Sequence, residues 1–169
     1  MHIAWSLPQR AHVSAPKGRP LRPLRLTLAA ELGGAIDGAW WPYGNSVAHE
    51  LAGLVEALRN RVGGVLDVSV NWSALDGVPN LDARSPSSLP GTFRPVRNHH
   101  VITVTGDAAC AKIMVVPART SRLLATMVLR HAADLPITAL HRDTDECRIA
   151  ADLVAAARRQ NATPGHVGG

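Results

Sequence analysis

Residues 36–42 read Ile36-Asp37-Gly38-Ala39-Trp40-Trp41-Pro42 and place two of the chain's four tryptophans next to each other. Aromatic residues make up only 4% of the sequence, so this pair is its most unusual feature. If the stretch is extended, successive side chains point to opposite faces of a sheet, and the two indoles cannot share one pocket. The sequence therefore predicts a sheet packed on both faces, or a sheet that exposes one indole to a partner.

A strand is expected on each side of the Gly33-Gly34 turn. Leu24 to Leu28 alternates apolar and polar residues with a period of two, which is typical of a half-buried strand. The second strand runs from Ala35 to Trp41 and ends where Pro42 removes a ladder donor. We expect these two strands to form an antiparallel hairpin.

The clearest helical pattern follows this hairpin. Its apolar residues recur at helical spacing, and they are Val47, Leu51, Leu54, Val55, Leu58 and Val62. Asn45 or Ser46 is a suitable N-cap, and Gly63-Gly64 provides a left-handed stop. A single apolar stripe of this kind predicts a helix that lies on one face of the sheet.

The rest of the chain adds strands and then helices. The predicted strands are Val65 to Leu75, a weak edge strand from Thr92 to Arg97, and a hairpin of Val101 to Thr105 with Ala111 to Val116. The predicted helices begin at Thr120 or Ser121 and at Thr144 or Asp145, and they end near Ala133 and Asn161. This order predicts an α+β fold, with a mostly antiparallel sheet of about six strands and two or three helices packed on it.

The basic residues are concentrated at the N-terminus. Residues 1–30 contain no acid and five cations, which are Arg10, Lys17, Arg19, Arg22 and Arg25. The remaining Lys and Arg equal the 13 Asp and Glu in number, so the formal charge of +5 belongs to this segment. Prolines and sparse basic residues predict a flexible arm over residues 1–22, a single domain over 23–161 and a flexible tail over 162–169.

No familiar catalytic, cofactor or metal-binding motif is present. The sequence contains no Gly-x-Ser-x-Gly, no phosphate-binding glycine loop and no paired Cys-x-x-Cys, so we expect neither a cofactor nor a metal. Cys110 and Cys147 read as free thiols in a reducing compartment, although a single disulfide stays open. No apolar run has the length of a signal peptide or a membrane span, and we expect a cytoplasmic protein without a membrane partner.

Two groups of residues are candidates for binding, and each has a structural alternative. The first group is either sheet core or a ligand and partner surface, and it comprises Asp37, Trp40, Trp41, Asn71 and Trp72. The second group is either a solubilising tail or a nucleic-acid contact, and it comprises Arg10, Lys17, Arg19, Arg22 and Arg25.

The string Asp37-Gly38-Ala39-Trp40-Trp41-Pro42 also carries a family resemblance. Together with the strands and helices around it, from about residue 22 to residue 135, it resembles a small actinobacterial family annotated only as a domain of unknown function. The resemblance implies a standalone cytoplasmic protein of actinobacterial origin. It implies no activity, substrate or catalytic residue.

Two hypotheses about function follow. The first is a non-enzymatic binding module that uses a tryptophan-containing sheet face, with protein or with nucleic acid or the ribosome as its partner and the basic arm as an additional contact. The alternative is a small enzyme whose pocket lies between sheet and helices and is lined by Asp37, Asn71 and a histidine, either His49 or His100. The oligomeric state is open at this point.

Overall fold

A computed structural model of the 169-residue chain describes residues 22–71 and 99–162. Within these ranges the strands are β1 (Leu26–Leu28), β2 (Gly38–Trp40), β3 (Val65–Val70), β4 (Val101–Gly106) and β5 (Cys110–Val115). The helices are α1 (Val47–Val62), α2 (Arg122–Ala132), α3 (Ala139–Arg142) and α4 (Asp145–Asn161). The predicted α+β class is confirmed.

The sheet is mixed, with the strand order β1-β2-β5-β4-β3. Neighbouring strands are antiparallel except β2 and β5, which run parallel with Gly38 opposite Ile113. The prediction of a mostly antiparallel sheet of about six strands is therefore only roughly right. The parallel pair joins distant parts of the chain, and local sequence patterns do not report such a pairing. The predicted edge strand at residues 92–97 lies outside the described residues.

The predicted hairpin of β1 and β2 is confirmed, with Leu26 opposite Trp40 and Leu28 opposite Gly38. The two strands approach closely at Gly38, where an added Cβ would overlap the carbonyl oxygen of Thr27. Glycine is therefore required at this position in order to keep β1 on the sheet.

The first core cluster lies between the sheet and α1. Its fully buried side chains include Trp40, Leu54, Leu58, Ile102 and Ile113. The helix begins after Ser46 and ends at Gly63, whose φ of 82° is left-handed, as the sequence predicts. The apolar stripe of α1 thus covers one face of β2, β5 and β4.

The second core cluster lies on the opposite face. Leu124, Met127 and Val128 of α2 pack with Ala39 and Met114 of the sheet. α4 packs against α2 and contributes Cys147, Ala150, Val154 and Ala157. The prediction of two or three helices omits α3, which has four residues and no buried side chain.

β3 forms one edge of the sheet. Its register against β4 shifts between Val65 and Asp67, which leaves Leu66 as the extra residue of a β-bulge. Val65 and Val68 consequently both pack toward the α1 cluster, whereas Leu66 is 72% exposed and Val70 is 48% exposed. β3 ends at Val70, before Asn71. Residues 72–75 of the predicted strand lie outside the described part of the chain.

Candidate functional site

The two neighbouring tryptophans lie on opposite sides of the sheet. Trp40 is fully buried in the α1 cluster, and Trp41 is half-buried against the α2 cluster. The prediction that their side chains diverge is confirmed, and both faces of the sheet are packed. Trp40 therefore lies in the core, whereas Trp41 retains part of its surface. Trp72 lies outside the described residues.

Asp37 is a buried residue whose carboxylate serves the backbone. It is 1% exposed, and its Oδ1 accepts hydrogen bonds from the backbone N–H groups of Gly33 (2.9 Å) and Gly34 (2.7 Å). Its Oδ2 accepts from the backbone N–H of Lys112 at 2.8 Å. Three donors satisfy this buried charge and fix the turn that leads into β2. Each described hydrogen bond of the Asp37 side chain therefore goes to a backbone N–H group and supports the fold.

Asn71 acts as a clamp between the chain after β3 and the start of β4. Its Oδ1 accepts from the Val101 N–H at 2.8 Å, and its Nδ2 donates to the His99 carbonyl oxygen at 2.8 Å. Its backbone N–H donates to the Val101 carbonyl oxygen at 3.2 Å. The amide therefore extends the β3–β4 ladder by side-chain bonds, which is a structural use of both of its polar atoms.

The candidate histidines do not join Asp37 and Asn71 in one place. His49 lies on the exposed side of α1, while His99 and His100 are buried, each 8% exposed, at the start of β4. Asp37 and Asn71 bond to different backbone segments, residue 112 in one case and residues 99 and 101 in the other. Across residues 22–71 and 99–162, no group of three or more His, Cys, Asp and Glu is arranged to hold a metal ion.

A stack of cationic and aromatic side chains forms at the end of the sheet where β1 begins and β2 ends. The Arg25 guanidinium carbon lies 3.6 Å from the centroid of the Trp41 ring and 3.9 Å from that of the Tyr43 ring. The Arg25 Nε donates to the Trp41 carbonyl oxygen at 2.9 Å, and its Nη2 donates to the Pro42 carbonyl oxygen. Arg25 thus stacks on both rings and at the same time donates hydrogen bonds to the backbone of Trp41 and Pro42. We call Arg22, Arg25, Trp41 and Tyr43 the arginine–aromatic cluster.

Burial lowers the pKa of Arg25, because removal from water disfavours the charged guanidinium. Tyr43 and Glu50 act in the opposite direction, and Arg22 adds to the lowering. The starting value is so high that Arg25 stays protonated at neutral pH. The cluster therefore carries a permanent positive charge.

Tyr43 joins the cluster to its surroundings. Its Oη donates to the Pro23 carbonyl oxygen at 2.8 Å, and its backbone N–H donates to the Glu50 carboxylate at 2.9 Å. Tyr43 is 36% exposed, and the Arg22 guanidinium carbon lies 5.3 Å from the centroid of its ring. Tyr43 is the exposed aromatic surface of the cluster.

More cations lie at this end of the sheet. The Val116 N–H donates to the Trp40 carbonyl oxygen at 2.8 Å, so β5 ends beside β2. The chain then passes through exposed Arg119 into α2, whose first helical residue is exposed Arg122 and whose first turn has no acid. Arg22 is also exposed, while Arg10, Lys17 and Arg19 lie outside the described residues.

Sequence reasoning did not single out Tyr43, Arg119 or Arg122. Tyr43 is the only tyrosine of the chain and follows the tryptophan pair after Pro42. This concentration of aromatic residues is the sequence signal that points to Tyr43. The two arginines have no such signal, because the segment that carries them follows β5, and β5 is placed beside β2 only by the parallel pairing of the two strands.

No helix in the described ranges combines the length and apolar character needed to span a bilayer. Cys110 and Cys147 are both free thiols, as expected. Among known proteins, a family model described as a family of unknown function (DUF5994) matches residues 24–132. No curated protein and no solved structure matches the chain.

Proposed function

This chain belongs to the DUF5994 family of unknown function, and we propose that it is a non-enzymatic binding module whose partner is single-stranded nucleic acid. The binding surface is the arginine–aromatic cluster together with Arg119 and Arg122. The observation that carries the proposal is the position of Arg25, stacked between Trp41 and Tyr43 where the basic N-terminal segment enters the sheet.

The chemistry of the cluster suits a flexible anionic polymer with planar bases. The exposed ring of Tyr43 offers a stacking surface, and stacking of a base on an aromatic side chain contributes about 1–3 kcal/mol. The Arg22 guanidinium carbon lies near the Tyr43 ring, and exposed Arg119 and Arg122 follow the end of β5, which pairs with β2, so we expect these cations to attract phosphates to this end of the sheet through counterion release. The Arg25 guanidinium already contacts the two rings and two carbonyl oxygens, so we assign it the role of positioning the rings and not of binding phosphate.

The distribution of charge supports the same partner. Five cations and no acid fall within residues 1–30, and the rest of the chain is neutral in sum. A neutral body with one cationic end directs an anionic polymer to that end. Among the described acids, Glu50 contacts the cluster. Its carboxylate already accepts hydrogen bonds from the backbone N–H groups of Tyr43 and Gly44.

The alternative of a small enzyme has less support. It needs Asp37 and Asn71 to face a common pocket, and both side chains are instead bonded to separate backbone segments. A carboxylate that already accepts three backbone hydrogen bonds is poorly placed to accept a proton from a substrate.

We also place the protein in the cytoplasm of an actinobacterium. Two free thiols are consistent with a reducing compartment. The proposed actinobacterial origin rests on the resemblance of the Asp37 to Pro42 string and of the strands and helices around it, and family members from other phyla that carry the same features would remove this support.

Fluorescence anisotropy of a labelled oligouridine RNA tests the binding proposal on the full chain. We expect binding that weakens with salt. In a plot of log K against log salt concentration, the slope should be about −0.7 for each phosphate neutralised. Tyr43→Ala should weaken binding about tenfold or more at every salt concentration, because stacking is lost. Arg119→Gln and Arg122→Gln should each reduce the salt slope by about 0.7.

The controls are Arg142→Gln and Arg159→Gln, which remove equally exposed arginines from α3 and from the last turn of α4. They should leave both affinity and slope close to those of the wild type. Equal losses in cluster and control variants would mean that only net charge matters, and the proposed site would be abandoned. The same conclusion follows if the wild-type protein does not bind the RNA at low salt.

A further inference from the structure

We propose that two copies of this chain associate through β3, in an antiparallel pairing about a two-fold axis at Val68, so that their sheets become continuous. β3 lies at the edge of the sheet opposite β1, so this interface is separate from the arginine–aromatic cluster. The inference does not depend on the proposed nucleic-acid partner.

The two edges of the sheet differ in their protection. β1 has three residues, and carbonyl oxygens beside it are occupied, since Arg61 Nη2 donates to Ala29 (2.8 Å) and Ala30 (2.7 Å) and Tyr43 Oη donates to Pro23 (2.8 Å). β3 has six residues, and in the described part of the chain its ladder partner is β4 alone. A bulge such as the one at Leu66 is one way to guard an edge strand, but Asp67 to Val70 form a regular ladder with β4, and backbone groups left unpaired along such a stretch pair readily with another strand.

The outward backbone groups of β3 can be assigned from its ladder. The Asn71 N–H points toward β4, where it bonds to the Val101 carbonyl oxygen. In an antiparallel ladder alternate residues face the partner, so Ser69 also points inward. Val68 and Val70 alternate with these residues and direct their N–H and C=O groups away from β4, and within residues 22–71 and 99–162 no other strand pairs with them.

The sequence of β3 is self-complementary about Val68. With Val68 opposite its counterpart in the second copy, Leu66 faces Val70 and Asp67 faces Ser69. Apolar residues meet apolar residues, and the carboxylate meets a hydroxyl that can donate to it. A register centred on Asp67 would instead oppose two carboxylates, which is unfavourable. Charge therefore favours the register centred on Val68 over the one centred on Asp67.

The side chains left exposed on β3 fit the same occupant. Leu66 is 72% exposed and Val70 is 48% exposed, and both are among the large apolar residues that remain most accessible in the described chain. Leu66 is the extra residue of the bulge and lies outside the core, and the bulge interrupts the regular pairing of β3 with β4 at this point. In the register centred on Val68 each Leu66 lies opposite the Val70 of the second copy. One pairing therefore bonds the outward backbone groups and brings the exposed apolar residues of the two copies next to each other.

Sedimentation velocity of the full chain over about a hundredfold range of micromolar concentration tests the proposal. We expect a concentration-dependent dimer of the 17.9 kDa chain. Val70→Pro should weaken the dimer about tenfold or more while the fold is kept, because proline removes an N–H that points outward and is tolerated on an edge. Ser69→Pro removes an inward N–H and should lower the thermal stability of the monomer, which checks the assigned directions.

Leu140→Lys is the matched control, because Leu140 is also a highly exposed leucine, at 83%, but it belongs to α3 and not to β3. It should leave the dimer unchanged, whereas Leu66→Lys should weaken it. Under mild oxidation Val68→Cys should form a covalent dimer across the axis, since paired Cα atoms lie about 5.5 Å apart. A wild-type protein that sediments as a monomer throughout, or a dimer that survives Val70→Pro, overturns the proposal.

Discussion

The Asp37 carboxylate reaches from the end of the Gly33-Gly34 turn to the backbone N–H of Lys112, where Oδ2 accepts at 2.8 Å. The bond joins β2 to β5 by a side chain, and the Asp37 N–H donates to the Lys112 carbonyl oxygen at 2.8 Å beside it. The only parallel pair in the described sheet is thus fixed at its start by a buried charge.

Asp37→Ala should lower the free energy of unfolding by about 3 kcal/mol, since three backbone N–H groups lose their acceptor, which is the buried Asp37 carboxylate. Asp37→Asn should cost about 1–3 kcal/mol, because its amide keeps one acceptor and turns a donor toward a donor. Urea unfolding measures both. Asp152→Asn, at an exposed position on α4, is the control and should stay within about 0.5 kcal/mol of the wild type. Equal stability of Asp37→Ala and the wild type would contradict the assigned role.

Two glycine substitutions should have opposite effects. Gly38→Ala would push a Cβ into the carbonyl oxygen of Thr27, and we expect a loss of about 2–4 kcal/mol. Gly53→Ala lies in α1 with nothing within 4 Å of the added Cβ, and it should stabilise the protein by about 0.5–1 kcal/mol. Thermal unfolding of the pair gives the comparison. A harmless Gly38→Ala would mean that β1 is not held close to β2.

Arg25→Lys should destabilise the fold by about 1–2 kcal/mol although the charge is kept. Lysine cannot stack flat between Trp41 and Tyr43, and it cannot reproduce the bonds to both carbonyl oxygens. Acrylamide quenching should also increase, because the Trp41 ring loses its cover. Arg59→Lys is the control, since Arg59 forms an exposed ion pair with Glu56. A quenching curve that does not change would contradict the stacking arrangement.

Asn71→Asp should introduce a pH dependence. One oxygen of the new carboxylate keeps the hydrogen bond from the Val101 N–H, but the other faces the His99 carbonyl oxygen where an amide formerly donated. We expect this repulsion to exceed the effect of the single N–H and to raise the pKa of the new Asp. A raised folded pKa gives stability that is present below the unfolded pKa and is lost as the pH rises through the folded one. Relative to the wild type, the variant should be weaker by about 1 kcal/mol at pH 7 and nearly equal below about pH 4. Asn71→Ala should show no such dependence.

Much of the fold could be predicted because it depends on local patterns. The helices α1, α2 and α4 follow from apolar spacing and end residues, and the divergence of Trp40 and Trp41 follows from strand geometry alone. The parallel pairing of β2 with β5 could not be predicted, because it joins segments far apart in the chain. The bulge at Leu66 was also missed, because the alternating sequence gives no sign of an extra residue.

The candidate site was predicted less well than the fold. Asp37, Trp40 and Asn71 were chosen because polar or aromatic residues are unusual in that setting, and each has a structural role in the sheet. Trp41 and Arg25 were chosen for separate reasons, and the structure places them in contact. What joins them is a close approach of side chains, which depends on tertiary geometry that no short motif describes.

The position of β2 between β1 and β5 has a consequence for synthesis on the ribosome. Trp40 emerges early in translation, whereas Ile113 and Val115, which complete its surroundings, are added only after β3 and β4. A nascent chain that has not reached β5 therefore leaves its largest apolar side chain open to chaperones and to other chains. We therefore expect the interval between translation of residue 40 and residue 115 to be a period in which the core around Trp40 is open to misassembly.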